Sequence, residues 1–217
     1  MGDRITLYGA PGFGSVAVEA ALTLLGEPYE RVDIPADSPD AFLAGVKAVN
    51  PMLQVPAVVL PSGELMTESA AILIWLADRH PEARMAPASS DPKRAQFLRW
   101  MVYVPAAIYS MFWVRDVPSR LAATPEAEEV IKARTAERIA DCWRIMDEQV
   151  SPGRYILGDE ISVLDLYVTV VSRWTPRRRR FYEIAPKLGE VVRRVDADPR
   201  LADLWAERFP FSEGWEG

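Results

Sequence analysis

Residues 54–69 read Gln54-Val55-Pro56-Ala57-Val58-Val59-Leu60-Pro61-Ser62-Gly63-Glu64-Leu65-Met66-Thr67-Glu68-Ser69. Val55 to Leu60 is a short β-branched run bounded by prolines, the pattern of a buried strand. Pro61-Ser62-Gly63 marks a turn, and Glu64-Leu65-Met66 is long enough for a second short strand. Thr67-Glu68-Ser69 then opens an apolar run from Ala70 to Ala77, a helix with acid and hydroxyl groups at its start. Pro56 cannot donate to a strand ladder, so it is either the first residue of an edge strand or the site of a cis bond. By themselves Val55-Pro56 are ordinary strand punctuation, and Glu68 is a partner for a helix dipole.

The flanking sequence gives these residues a setting. Upstream, Arg4 to Tyr8 reads as a strand, Gly9 to Gly14 as a loop, and Ser15 to Leu25 as an apolar helix ended by Gly26. Tyr29 to Ile34 is a second strand, and Pro39 to Val49 is a short helix or irregular segment. Strand, helix and strand at this spacing form a parallel crossover unit. Downstream, residues 81–92 hold three prolines among small residues and read as a linker. The expected division is therefore a domain over 1–80, a linker over 81–92 and a domain over 93–217.

The second domain reads as helix throughout. One helix from Asp91-Pro92 puts Phe97, Met101, Val104, Ile108 and Met111 on one face, with a kink expected at Pro105. Another, from Pro125 to Val150, carries Cys142 on its apolar stripe as a small core hydrophobe. In Gly158 to Leu166, Ser162 and Asp165 have capping-box spacing, and Ile161 with Leu166 has staple spacing. The strand-prone residues that follow suit a helix only if it is buried all round. Arg177 to Arg180 reads as a solvated helix start or loop, and a last helix is expected around Leu201 to Phe209.

Composition removes several functions. The net charge of −6 and pI near 5.0 leave no basic balance for nucleic acid. One cysteine and one histidine exclude a Cys-x-x-Cys redox pair and multi-cysteine or multi-histidine metal sites. His80, at a helix end before Pro81, has a structural role. No N-terminal signal and no apolar run of spanning length stand out, so a cytoplasmic protein without membrane contact is expected. Chemistry, if any, falls to hydroxyls, carboxylates, backbone amides or a bound small molecule.

The crossover unit, the Val-Pro, the hairpin and the Glu-Ser helix start together resemble the thioredoxin-like domain of the soluble glutathione transferases, of a bacterial-like type. Ser162 to Leu166 resembles the capping box and staple of that family's central C-terminal helix, where the role is folding. The resemblance covers nearly the whole chain. It implies an α/β thioredoxin-like N-terminal domain followed by an all-α helical domain, a homodimer, no metal, and glutathione as co-substrate. It implies that Gln54, Val55, Glu68 and Ser69 bind glutathione, with Pro56 cis and holding Val55 against the cysteine of the ligand. The reaction implied is attack of the thiolate on a small apolar electrophile. The family's thiol-facing residue lies soon after the first strand, and here the loop departs from the usual pattern. The place held by cysteine in the beta-like class falls on Gly14, leaving Ser15 as the candidate catalytic donor and Tyr8 as the fallback. Phe13, Tyr103, Tyr109 and Trp113 are candidates for the electrophile pocket. A glutathione-binding scaffold with little turnover, and a glutathione-dependent isomerase or peroxidase, remain as alternatives.

Overall fold

The computed structural model describes residues 4–36 and 38–216. In chain order it contains β1 (Ile5–Gly9), α1 (Ser15–Leu25), β2 (Tyr29–Asp33), α2 (Pro39–Lys47), β3 (Ala57–Val59), β4 (Leu65–Thr67) and α3 (Ser69–Arg79). Helices α4 (Arg94–Tyr103), α5 (Ser110–Arg115), α6 (Pro125–Gln149), α7 (Val163–Val171), α8 (Arg177–Ile184), α9 (Pro186–Asp196) and α10 (Ala202–Arg208) follow. The chain forms two compact units, Met1–Ala88 with Asp196–Ser212, and Ser89–Val195 with Glu213–Gly217. This differs from a second domain running unbroken over 93–217. Residues Asp196–Ser212 join the first unit because α10 carries Arg208, whose guanidinium is paired with Glu19 of α1 and Asp33 of β2.

The first unit is a four-stranded sheet in the order β2-β1-β3-β4. Strands β1 and β2 are parallel, which requires the α1 crossover, while β3 and β4 form an antiparallel hairpin. Val16, Ala17, Val18, Ala20, Ala21 and Leu22 of α1 are buried together with Ile5 and Leu7 of β1. The helix ends at Gly26, whose left-handed φ of +63° lets its amide reach the carbonyls of Leu22 and Thr23. The Val55-Pro56 bond is cis, and β3 starts only at Ala57.

The second unit is helical. The helix expected from Asp91-Pro92 starts at Arg94 and is interrupted between Val104 and Tyr109 by a π-helical turn containing Pro105. Proline cannot donate to the preceding turn, so the hydrogen-bond register widens there rather than bending alone. The continuous run Arg94–Arg115 has 22 residues and, by length and composition alone, could cross a membrane. That corrects the expectation that no such run exists. On it Phe97, Trp100, Met101, Val104 and Ile108 are buried within the fold.

Helix α6 is capped by Thr124, whose Oγ1 accepts from the Ala127 amide at 3.3 Å, and Cys142 on it is fully buried. Helix α7 is buried along its whole length, which is why strand-prone valines are tolerated in it. Its capping box is formed by Ser162 and Asp165. The arginine run, expected from its sequence to be a solvated helix start or loop, is not solvated throughout. Arg178 is fully buried, donating to the Thr169 carbonyl at 2.8 Å and to the Tyr182 hydroxyl at 3.1 Å.

Candidate functional site

Sheet register brings the predicted residues of the first unit to one end of the sheet. Tyr8 is opposite Ala57, and Ala57 is opposite Thr67. The loop that leaves β1, the Val55-Pro56 that enters β3 and the Glu68-Ser69 that leaves β4 therefore share that end. Gln54 and the Glu68 side chain are exposed, while Val55 and Ser69 are buried. Tyr8 lies partly buried against a small apolar cluster of Ile34, Val46 and Val55, with Phe42 and Val49. That cluster fixes the Val55 side chain from beneath.

The Val55 backbone is the most informative feature. Its residue is only 5% exposed, yet neither its N–H nor its C=O has a partner among the described residues. A buried backbone pair without partners is uncommon. It is a ready-made donor and acceptor for an extended peptide laid alongside. Asn50 holds the loop that presents it. The Asn50 Nδ2 donates to the Gln54 carbonyl at 2.8 Å, and its Oδ1 accepts from the Met52 amide at 2.9 Å. Asn50 is itself buried and reads from sequence only as the residue before Pro51. Its role shows only when the loop closes on it.

Glu68 has φ +66° and ψ 103°, a conformation that costs a non-glycine residue on the order of 1–3 kcal/mol. It serves as the N-cap of α3 with its side chain making no capping bond. Glu68 thus stands at the positive end of that helix's dipole.

Ser15 is the first residue of α1 and is fully buried, with Gly14 in the N-cap position. Its hydroxyl donates to the Ala10 carbonyl at 3.2 Å and accepts from the Ala10 amide at 3.1 Å. The hydroxyl proton is thus engaged with the loop. Gly9 makes this contact fit, since a Cβ there would lie 2.6 Å from both Ser15 Cβ and Oγ. Gly9→Ala is expected to lower stability by about 1–3 kcal/mol, the usual penalty of overpacking, as read by denaturant unfolding. The Phe13 ring stacks on Phe42 with centroids 5.2 Å apart.

Within the second unit the three candidate pocket residues occupy different surroundings. The Tyr103 hydroxyl donates to the Cys142 carbonyl at 3.0 Å, and burial, reinforced by the neighbouring Cys142 side chain, pushes its pKa up to about 12. Tyr109 joins an aromatic group with Phe112, Tyr167 and Trp174. Trp113 is 46% exposed beneath the Arg120 guanidinium, 4.6 Å from its ring centroid.

The profile described as Glutathione S-transferase, N-terminal domain, matches residues 15–79. Over 201 residues the chain is 32% identical to the uncharacterized GST-like protein YncG of Escherichia coli, covering 92% of this chain and 96% of that one. The chain belongs to the glutathione transferase family. A glutathione transferase homolog from Sulfitobacter, solved with bound glutathione, superposes with a TM-score of 0.79 at 27% identity, over 94% of this chain and 97% of the other. The maleylpyruvate isomerase of a Ralstonia species is 28% identical over 199 residues, 89% of this chain and 90% of its own. The thioredoxin-like sheet and the helical unit are thus those of a bacterial glutathione transferase.

Proposed function

We propose that this transferase-family chain binds glutathione and promotes attack of its thiolate on a small apolar electrophile. The observation that carries the reading is the unpartnered, buried backbone of Val55, close in register to the strained Glu68. In this reading the Val55 N–H and C=O pair with the cysteinyl backbone of glutathione, and the Gln54 side chain reaches along the same ligand. Glu68 meets the γ-glutamyl ammonium, and Ser69 with the first amides of α3 meets the carboxylate beside it. The thiol loses its proton to solvent, its sulfur forms the new bond to carbon, and the leaving group departs with the displaced electron pair.

Ser15 enters as a weaker donor than its residue type alone implies, because its proton is directed at Ala10. The Val16 and Ala17 amides already donate to the Phe13 and Gly14 carbonyls, so the Gly14 and Ser15 amides with the dipole of α1 then carry the main stabilisation of the thiolate, and the Ser15 hydroxyl fixes the loop that aims them. Lowering a thiol pKa by about two units takes roughly 2.7 kcal/mol of preferential thiolate stabilisation, within reach of two aimed amides together with a helix dipole. Phe13 and the aromatic residues Tyr103, Tyr109 and Trp113 are proposed to favour an apolar second substrate.

The commitment of Ser15 to Ala10 also supports a second reading, a protein that binds glutathione with little turnover. The two are separated by initial rates with an activated aryl halide across pH, with S-methylglutathione as competitor. The transferase reading predicts saturable conjugation, competitively inhibited against glutathione. Inhibitor binding without conjugation above the solution rate favours the binding protein and overturns the transferase assignment.

A further inference from the structure

The loop Ala10–Gly14 is held from two sides. On one, Ser15 brackets Ala10, and the Phe13 amide donates back to the Ala10 carbonyl at 3.2 Å. On the other, the Gly12 amide donates to the Arg208 carbonyl at 2.8 Å. Gly12 has φ +78° with open space where a side chain would project, so the loop does not pack itself into place there. Its position depends on where Arg208 is held.

Arg208 is held firmly. It is 2% exposed, and its Nε lies 2.8 Å from Glu19 Oε2 while Nη2 donates to Glu19 Oε1 at 3.1 Å. The other edge of the guanidinium meets Asp33, with Nη1 3.0 Å from Oδ2 and Nη2 2.5 Å from Oδ1. Glu19 is on α1, one helical turn past Ser15, and Asp33 ends β2 opposite Gly9 of β1, so the clamp joins the helix that follows the loop to the strand beside the one that enters it. Arg31 closes the network, reaching Glu19 Oε2 at 3.7 Å and pairing with Glu207 beside Arg208. Bidentate hydrogen bonding to Asp33 on one edge, with one hydrogen bond and a close charge contact to Glu19 on the other, is geometry that lysine cannot reproduce.

We propose that Arg208 is a positioning residue for the thiol-binding loop, its side chain clamped by Glu19 and Asp33 so that its carbonyl holds Gly12 and sets the amides at the start of α1. The inference rests on the glutathione reading for its effect on the thiol, but its effect on the loop stands without ligand. It also explains why the last helix of the chain belongs to the first unit.

The test uses Glu19→Gln/Arg208→Met, which removes both buried charges together and so avoids stranding one of them, and Arg208→Lys as a milder variant should the pair fail to fold. Without ligand, hydrogen exchange over residues 9–15 is expected to quicken by about tenfold in either variant while β3 and α3 keep their protection. With glutathione, the affinity by calorimetry is expected to stay within about twofold. The pH midpoint of the bound thiolate, read in the ultraviolet, is expected to rise by about one unit, a loss of the dipolar stabilisation the loop amides supply. A residue that merely stabilises the fold would lower the melting temperature and leave both readouts alone. Unchanged exchange over 9–15 in a folded variant overturns the clamp. Quickened exchange with an unmoved midpoint overturns its link to the thiol. Absence of glutathione binding by the wild-type protein instead overturns the functional reading, with the exchange result still deciding the clamp.

Discussion

Replacing Asp165 with alanine is expected to lower stability by about 4 kcal/mol, a large share of the 5–15 kcal/mol typical of a domain. The carboxylate is fully buried and accepts from the Ile156 amide at 2.8 Å, the Ser162 amide at 2.7 Å and the Ser162 hydroxyl at 2.6 Å. Alanine leaves these donors with neither partner nor water, and each stranded buried donor costs about 1–3 kcal/mol. It also removes the N-terminal cap of α7, the helix buried along its whole length at the centre of the second unit. Denaturant unfolding should show the midpoint falling with the slope unchanged. Glutathione affinity of the remaining folded protein should be unaltered, because no residue proposed to bind it lies on α7.

The same carboxyl has a pH signature. Burial pushes its pKa up to about 6, against the opposing pull of the bonds from Ile156 and Ser162. The native state therefore binds this proton more tightly than the unfolded chain, where the value is near the ordinary 3.8. Between about pH 4 and 6 the native state holds more protons, so stability falls as pH rises through that window. The contribution is on the order of 3 kcal/mol at full ionisation. Measured as wild type minus Asp165→Asn, which does not titrate, the stability difference should decline from pH 4 to about 6 and then level off. A difference that rises with pH would mean that the three donors outweigh burial.

Glu68→Ala is expected to weaken glutathione binding by about 1.5–3 kcal/mol, roughly 10- to 150-fold, the range for a charge-assisted contact. The lost carboxylate weakens the hold on the ligand's ammonium, while a residue at φ +66° remains strained as alanine, so no relief of strain offsets the loss. Glu68→Gln should recover part of the affinity through a neutral hydrogen bond. Calorimetry on the two variants decides it, and equal affinity in wild type and Glu68→Ala would remove Glu68 from the site.

Legibility from the sequence followed the range of the interaction. Ser162 and Asp165 were readable because a capping box closes within one turn, and both partners occur in one short stretch. Val55-Pro56 and Glu68-Ser69 were readable for a similar reason, since one tight hairpin joins them and a Pro-Ser-Gly turn announces it. The residue type at Ser15 was visible, but the use of its hydroxyl was not. That depends on Gly9 lacking a side chain so that the helix start can approach Ala10. The Arg208 clamp could not be read at all. Glu19 is an acid on an apolar helix, Asp33 ends an edge strand, and Arg208 is in a charged terminal helix, so each has an ordinary local explanation. Only the tertiary fold makes them one buried group. Arg178 escaped in the same way, hidden among three neighbours of the same type. The return of Asp196–Ser212 to the first unit rests on these long-range pairs, and a reading of composition along the chain has no means to show it.

Calorimetric titration of the wild-type protein with glutathione, paired with ultraviolet detection of thiolate in the saturated complex from pH 5 to 9, tests the proposed function most directly. A saturable site on each chain is predicted, with thiolate appearing about two pH units below the ordinary thiol value near 8.5. No heat of binding at millimolar glutathione would contradict it, and would leave the unpartnered backbone of Val55 and the strain at Glu68 to be explained by another ligand.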